Sequence, residues 1–258
     1  MKICVLIKQV PSEDSTLILN DDKLSIKTES LNLVSNEPDT YALEEALQLK
    51  EKTDGSVCVC SFGPETSRQV IKDALAKGAD NGIFISDESI DNKSPQQIAK
   101  IITECIKDEN FDIVLSGLQS NDQGFSQVGL LISEYLGTSH ASLVMGTEIL
   151  NDTSIKVKLE LESGWFQWSE LDLPTSLTIQ SGINTPRYAT LPGIMSVKNK
   201  TVNTFTKNDI TIEANENTYS VVEVFQPIKT KETIKIEGNV DDMVNEIVDV
   251  LKNKIKVL

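Results

Sequence analysis

The stretch DIVLSGLQSNDQGFSQVGLLISEYL, residues 112–136, sets a buried strand, a polar loop and a helix in immediate succession. Asp112-Ile113-Val114-Leu115 is short, apolar and β-branched, whereas Val128, Leu131, Ile132, Tyr135 and Leu136 recur at helical spacing. Between them Ser116–Gly129 is polar and punctuated by glycine. A strand that feeds a helix through such a loop leaves unpaired backbone N–H groups at the positive end of the helix dipole. That is a ready site for an anion, most often a phosphate. The loop lacks the lysine of a P-loop and the chain has no G-x-G-x-x-G, so a phosphate here would be held mainly by backbone N–H, hydroxyl and amide groups.

The same alternation extends upstream. Strand-like runs at Ile3–Ile7, Val57–Ser61 and Gly82–Ser86 are separated by amphipathic helical patterns, the signature of a parallel sheet with helices on both faces. Ser94-Pro95-Gln96-Gln97 supplies an N-cap, a proline at the first helical position and a capping-box glutamine, and then comes an apolar face of Ile98, Ile101, Ile102, Cys105 and Ile106. Thr66 with Gln69 repeats the box, and Gly78 stops the helix it opens. An earlier helix, carrying Leu43, Ala46 and Leu47, begins through Asn36-Glu37-Pro38-Asp39. A hairpin turning at Asn20-Asp21-Asp22 is expected between Pro11 and Ser35, and a strand pair from Ser154–Glu162 and Leu173–Gln180. The fold class is therefore α/β, a Rossmann-like three-layer arrangement around a parallel sheet.

Beyond Met195 the character changes. Thr201–Lys235 is polar and charged and would not offset roughly 1–2 kcal/mol of backbone ordering per residue alone. It leads through Gly238-Asn239 into a helix with Val240, Val244, Ile247, Val248 and Leu251 on one face. Two parts are expected: an α/β nucleotide-binding domain over 1–195, and an arm with a terminal helix over 196–258, which packs either at home or on a partner.

A formal charge of −15 and a pI near 4.5 disfavour nucleic acid as a ligand, because phosphate backbones would be repelled. No window approaches the ~20 apolar residues of a membrane helix, and the apolar start is too short for a signal peptide. The expected compartment is cytoplasmic. Cys4, Cys58, Cys60 and Cys105 form no C-x-x-C pair and sit in apolar patterns, as reduced core thiols do. The only histidine, His140, reads as a loop residue after Gly137, so chemistry needing two imidazoles is excluded within this chain.

In a parallel sheet, ligands collect at the C-terminal edge of the strands where neighbouring connections diverge. Leu6-Ile7-Lys8, Asn36–Asp39, Phe62-Gly63-Pro64 and the Ser116–Gly129 loop belong at that edge. Amides, a flat apolar ring and an N–H cradle together suit an adenine nucleotide. Asp122 is expected either to cap backbone N–H groups or to face a ribose hydroxyl. No nucleophile, base and orienter can be assembled from the chain, and Glu44-Glu45 reads as a solvated helix face. The residues describe a nucleotide-holding module rather than an enzyme, with no catalytic and no metal-binding set.

Several motifs in order then carry a family resemblance: Ile7-Lys8-Gln9-Val10, Asn36 with Tyr41–Ala46, Ser61-Phe62-Gly63-Pro64, Ala74–Asp80, the Ser116–Gly129 loop and Asn184-Thr185-Pro186-Arg187-Tyr188-Ala189-Thr190-Leu191-Pro192-Gly193-Ile194-Met195. The chain resembles the β subunit of electron-transfer flavoprotein, and the Gln119–Gln123 and Ile179–Asn184 runs look nearest the branch serving methylamine-type dehydrogenases. The resemblance implies an adenine nucleotide alpha hydrolase-like fold and a heterodimer with an α subunit that carries most of the FAD contacts. It implies a structural AMP in the β subunit, a flavin dehydrogenase as donor, and a membrane quinone oxidoreductase or similar acceptor.

Carried over residue by residue, Leu6, Asn36, Asp39, Phe62, Asp122, Gln123, Gly124, Phe125, Ser126, Gln127, Val128 and Gly129 would line the AMP site. Tyr188, Leu191 and Pro192 would dock the partner dehydrogenase, with Leu191 as the anchor. A second branch holds a second FAD in place of AMP and splits electron pairs; its loop usually reads D-G-D-T-A-Q-V-G-P, and here Gly124 and Phe125 stand in place of Asp and Thr. Leu159 stands where the family carries an arginine. A stand-alone adenine-nucleotide-binding module would share the cradle but would need neither docking loop nor arm.

Overall fold

The protein is described by a computed structural model covering residues 1–28, 31–89, 93–210, 220–228 and 233–257. In chain order, the first half contains β1 (Lys2–Leu6), β2 (Gln9–Pro11), β3 (Leu33–Ser35), α1 (Glu37–Thr53), β4 (Ser56–Gly63), α2 (Arg68–Lys77), β5 (Asn81–Ser86), α3 (Pro95–Ile106), β6 (Ile113–Gly117) and α4 (Val128–Leu136). The second half contains β7 (Ser139–Asn151), β8 (Ser154–Glu160), β9 (Phe166–Asp172), β10 (Thr175–Ile179), α5 (Leu191–Ser196), β11 (Val202–Phe205) and α6 (Val240–Asp249).

Alternation along the strands explains the layers. Ile3, Val5, Val57, Val59, Phe84, Ile113 and Leu115 join one buried cluster with Leu43, Leu47, Ile71 and Leu75 of α1 and α2. Their neighbours Cys4, Leu6, Cys58, Cys60, Phe62, Ile83 and Val114 join a second cluster with Ile102, Ile106 and Ile132 of α3 and α4. Successive side chains of a strand point to opposite faces, so a sheet covered on both sides needs apolar residues at every position. The result is the three-layer Rossmann-like α/β fold read from the sequence.

The sheet runs β11-β5-β4-β1-β6-β10-β7-β8-β9, parallel from β11 to β7 and antiparallel from β7 to β9. From β1 the chain steps outward through β4 to β5, then returns to place β6 on the other side of β1. The connections after β1 and β6 therefore diverge, and a crevice opens between them.

Local signals held where their partners were local. Ser94 and Gln97 form the reciprocal capping box of α3. Gly78 closes α2 at φ 130°, and the expected hairpin turn is held by Asn20 and Ser25 with Leu19 opposite Ile26. The Thr66–Gln69 box does not form: a 3₁₀ turn over Glu65–Ser67 starts α2 one residue later, and the Gln69 amide donates to Asp73. The expected pairing of Ser154–Glu162 with Leu173–Gln180 is also corrected. β8 pairs with β7 and β9, while β10 inserts in parallel between β6 and β7. His140 is not a loop residue; it lies exposed near the start of β7, opposite Ser176 of β10.

The first compact unit is Met1–Val222 and the second Glu223–Leu258. The boundary expected after residue 195 precedes β11, which lies in the main sheet against β5. Part of the polar arm, residues 211–219 and 229–232, lies outside the described residues. Within the second unit, Asn239 caps α6 by accepting from the Asp242 N–H, and the helix runs on into a π-helical turn, Val250–Ile255. Among the described residues no helix is long and apolar enough to cross a membrane.

Candidate nucleotide-binding site

A cleft of about 800 Å³, counting its open mouth, lies at the crevice between the ends of β1 and β6. Leu6, Asn36, Asp39, Phe62 and the Gln123, Phe125, Ser126, Gln127, Val128 and Gly129 run all line it, brought together from distant parts of the sequence. Gly124 sits within that run in left-handed backbone at φ 63°, and its N–H donates to the Ser120 carbonyl.

Asn36 and Asp39, one turn apart at the start of α1, hold the floor rigid. Asn36 makes no cap; its amide donates to the Gln119 carbonyl at 3.0 Å and its carbonyl oxygen accepts from the Asn121 N–H at 2.9 Å. The Asp39 carboxylate accepts from the Lys8 N–H at 2.8 Å and the Gly117 N–H at 2.9 Å, which joins the ends of β1 and β6. A Cβ at Gly117 would stand 2.6 Å from Asp39 Oδ1 and from Pro38 Cβ, so only glycine permits this approach. Burial pushes the Asp39 carboxyl up to about 6 despite those two N–H donors.

Lys8 is the site residue that sequence reasoning undervalued. Its ammonium reaches over the loop, 2.7 Å from Asp122 Oδ2, 3.3 Å from Gln123 Oε1 and 3.5 Å from Ser120 Oγ. The signal was present, since Lys8 closely succeeds a strand that the topology sets beside β6. Asp122 turns to this ammonium and to the Gln123 N–H rather than to the cleft wall. Burial raises its carboxyl, but the Lys8 charge and the surrounding donors more than offset that and hold it below the ordinary carboxylate value.

Three further features complete the cleft. The first turn of α4, whose Val128 and Gly129 line the cleft, carries no side-chain cap, so no side chain satisfies its leading N–H groups. The Ser116 hydroxyl, buried in the wall, has no hydrogen-bond partner among the described residues. Pro95, Ile98 and Ile102 of α3, together with Phe62, give the cleft an apolar lining. An orphaned hydroxyl, a cation, an uncapped helix start and a flat apolar slot fit the phosphate, ribose and base of an adenine nucleotide.

On another part of the molecule, the structure corrects the reading of Glu44-Glu45. Both are buried, because the Asn184–Arg187 segment returns over α1. The docking candidates, Tyr188, Leu191 and Pro192, are all exposed, Tyr188 at 91% and Leu191 at 72%. Leu159 lies in β8, paired with Val144 and Gln167. The four cysteines are buried free thiols; burial pushes Cys58 and Cys105 up to about 12, which keeps them protonated and inert. Among the described residues no group of three or more His, Cys, Asp or Glu side chains is placed to hold a metal ion.

Sheet topology and cleft define the class: a doubly wound α/β protein with an open cleft at its switch point. Residues 23–210 match the electron transfer flavoprotein domain, and the chain belongs to the electron transfer flavoprotein family. It is 32% identical to an electron transfer flavoprotein subunit beta of Methylophilus methylotrophus, over 97% of this chain and 98% of that one. It is 29% identical to the subunit beta of Bacillus subtilis over the whole of both chains, and 31% identical to a mitochondrial subunit beta of Oryza sativa subsp. japonica, again over the whole of both.

Proposed function

We propose that this chain is the β subunit of a heterodimeric electron transfer flavoprotein. The heterodimer accepts electrons from a flavin dehydrogenase and passes them to a quinone oxidoreductase or a similar acceptor, and this subunit is an electron-carrier component rather than an enzyme. FAD, held mainly by the α subunit, supplies the electron exchange when bound. AMP occupies the β1–β6 cleft as a structural ligand that is not turned over. The carrying observation is the cleft itself, where Lys8, the start of α4 and the Ser116 hydroxyl, unpartnered among the described residues, surround an opening between the ends of β1 and β6.

Beyond β11, which belongs to the main sheet, the chain acts as an arm and helix that pack on the α subunit, and the working compartment is cytoplasmic. The Gln119–Gln123 and Ile179–Asn184 runs support a donor of the methylamine-dehydrogenase type. Tyr188, Leu191 and Pro192 form the docking tip. Burying one leucine contributes roughly 1.5–3 kcal/mol, enough to orient a transient complex without making it long-lived.

The test is co-expression with the α subunit, then denaturation of the purified complex and chromatography of the released nucleotides. One FAD and one AMP per heterodimer is the expected result. Two FAD and no AMP would move the protein to the electron-bifurcating branch. A stand-alone module would give neither a complex nor flavin.

A further inference from the structure

The exposed tip at Tyr188–Pro192 hangs between two staples, and the stronger one uses the buried acids of α1. Arg187, one of two arginines in the chain, donates to Glu44 Oε2 from Nε at 2.8 Å and to Oε1 from a terminal nitrogen at 3.0 Å. Its own backbone N–H donates to the same carboxylate at 3.1 Å, and its other terminal nitrogen reaches Glu51 at 2.6 Å. Gln48, one turn along α1, donates to Glu44 from the side, and the Asn184 amide donates to the Tyr41 carbonyl and to Glu45. Burial raises the Glu44 carboxyl, but these donors offset it and hold the group ionised below its ordinary value.

At the far end Gly193 abuts the Ala76 carbonyl of α2 so closely that a Cβ there would overlap it. The Lys200 ammonium donates to the Leu75 and Ala79 carbonyls at 2.8 and 2.6 Å. Between the staples the apolar side chains of Tyr188, Leu191, Ile194 and Met195 face outward. A short apolar segment left loose would lose conformational entropy on each encounter, whereas one fixed beforehand does not.

We propose that Arg187 and Glu44 are positioning residues that hold the docking tip in its binding-competent shape. This rests on the docking role proposed for Leu191. A bidentate guanidinium–carboxylate pair with one partner almost fully buried is directional enough for that task, and lysine cannot reproduce its fork.

The experiment uses the α/β heterodimer and a methylamine-type flavin dehydrogenase reduced by its amine, with Glu44→Gln, Arg187→Lys, Leu191→Ala and the Glu44→Gln/Leu191→Ala pair. The single clamp variants should raise the KM for the heterodimer about fivefold, with maximal rate and FAD content kept, since pre-organisation acts on encounter affinity. Hydrogen exchange over residues 188–195 should accelerate in the same variants. In the Leu191→Ala background, Glu44→Gln should have no further effect on KM, which a merely structural role would not produce. A normal KM in both clamp variants while Leu191→Ala raises it overturns the clamp and keeps the docking tip. A normal KM in Leu191→Ala itself overturns the docking reading. Lost FAD or a lowered maximal rate in Arg187→Lys assigns the clamp to stability instead, and that variant decides the matter if Glu44→Gln does not assemble.

Discussion

Asp39 carries a charge where the fold least favours one, because its carboxyl is buried between the ends of β1 and β6 and is raised from 3.8 to about 6. The folded state therefore binds a proton more tightly than the unfolded chain over that interval. The Asp39 contribution to stability is fully present below pH 3.8 and is lost as pH rises through about 6. Asp39→Asn does not titrate, so the stability difference between wild type and variant should shift against the wild type by on the order of 2–3 kcal/mol between pH 4 and pH 7. Urea unfolding at several pH values, without nucleotide, reads it directly; a pH-independent difference would refute the assignment. Lys8 gives a second residue-scale prediction. Lys8→Gln removes the only lysine among the cleft-lining residues, and AMP retained after dialysis should fall about tenfold relative to wild type, the scale of a charge-assisted contact. Unchanged AMP content would mean that the α4 N–H groups hold the phosphate alone.

At the scale of the element, two similar capping signals had different fates. Ser94 makes its box, so Ser94→Ala should cost about 1 kcal/mol in denaturant unfolding of the complex. Thr66 is exposed and its box is unformed, so Thr66→Ala should stay within about 0.5 kcal/mol. A large loss from Thr66→Ala, or none from Ser94→Ala, would reverse these readings. The difference lies in the backbone just after each cap: Pro95 fixes the first helical residue of α3, whereas a 3₁₀ turn intervenes before α2. The apolar strands β1, β4, β5 and β6 were legible because burial on both faces demands continuous apolar runs. β7 was not, since SHASLVMGTEILN mixes polar and small residues and carries register shifts against both neighbours.

For the whole molecule, the division into two compact units sets a test of the arm. Truncation after Val222 should leave the sheet and AMP cradle folded while sharply lowering co-purification of the α subunit. Undiminished co-purification would show that the arm is not needed for assembly.

The sequence by itself determined the layered α/β class and the strand–loop–helix cradle, because each depends on neighbours within about a turn or a loop of one another. The family motifs added the ligand and partner expectations. Tertiary structure alone decided that Lys8 reaches Asp122 across 114 positions, that β10 separates β6 from β7, and that Glu44 is buried beneath Arg187 from 143 positions away. A carboxylate on a helix has the same local pattern whether water or an arginine faces it. Only the path of the returning chain distinguishes the two.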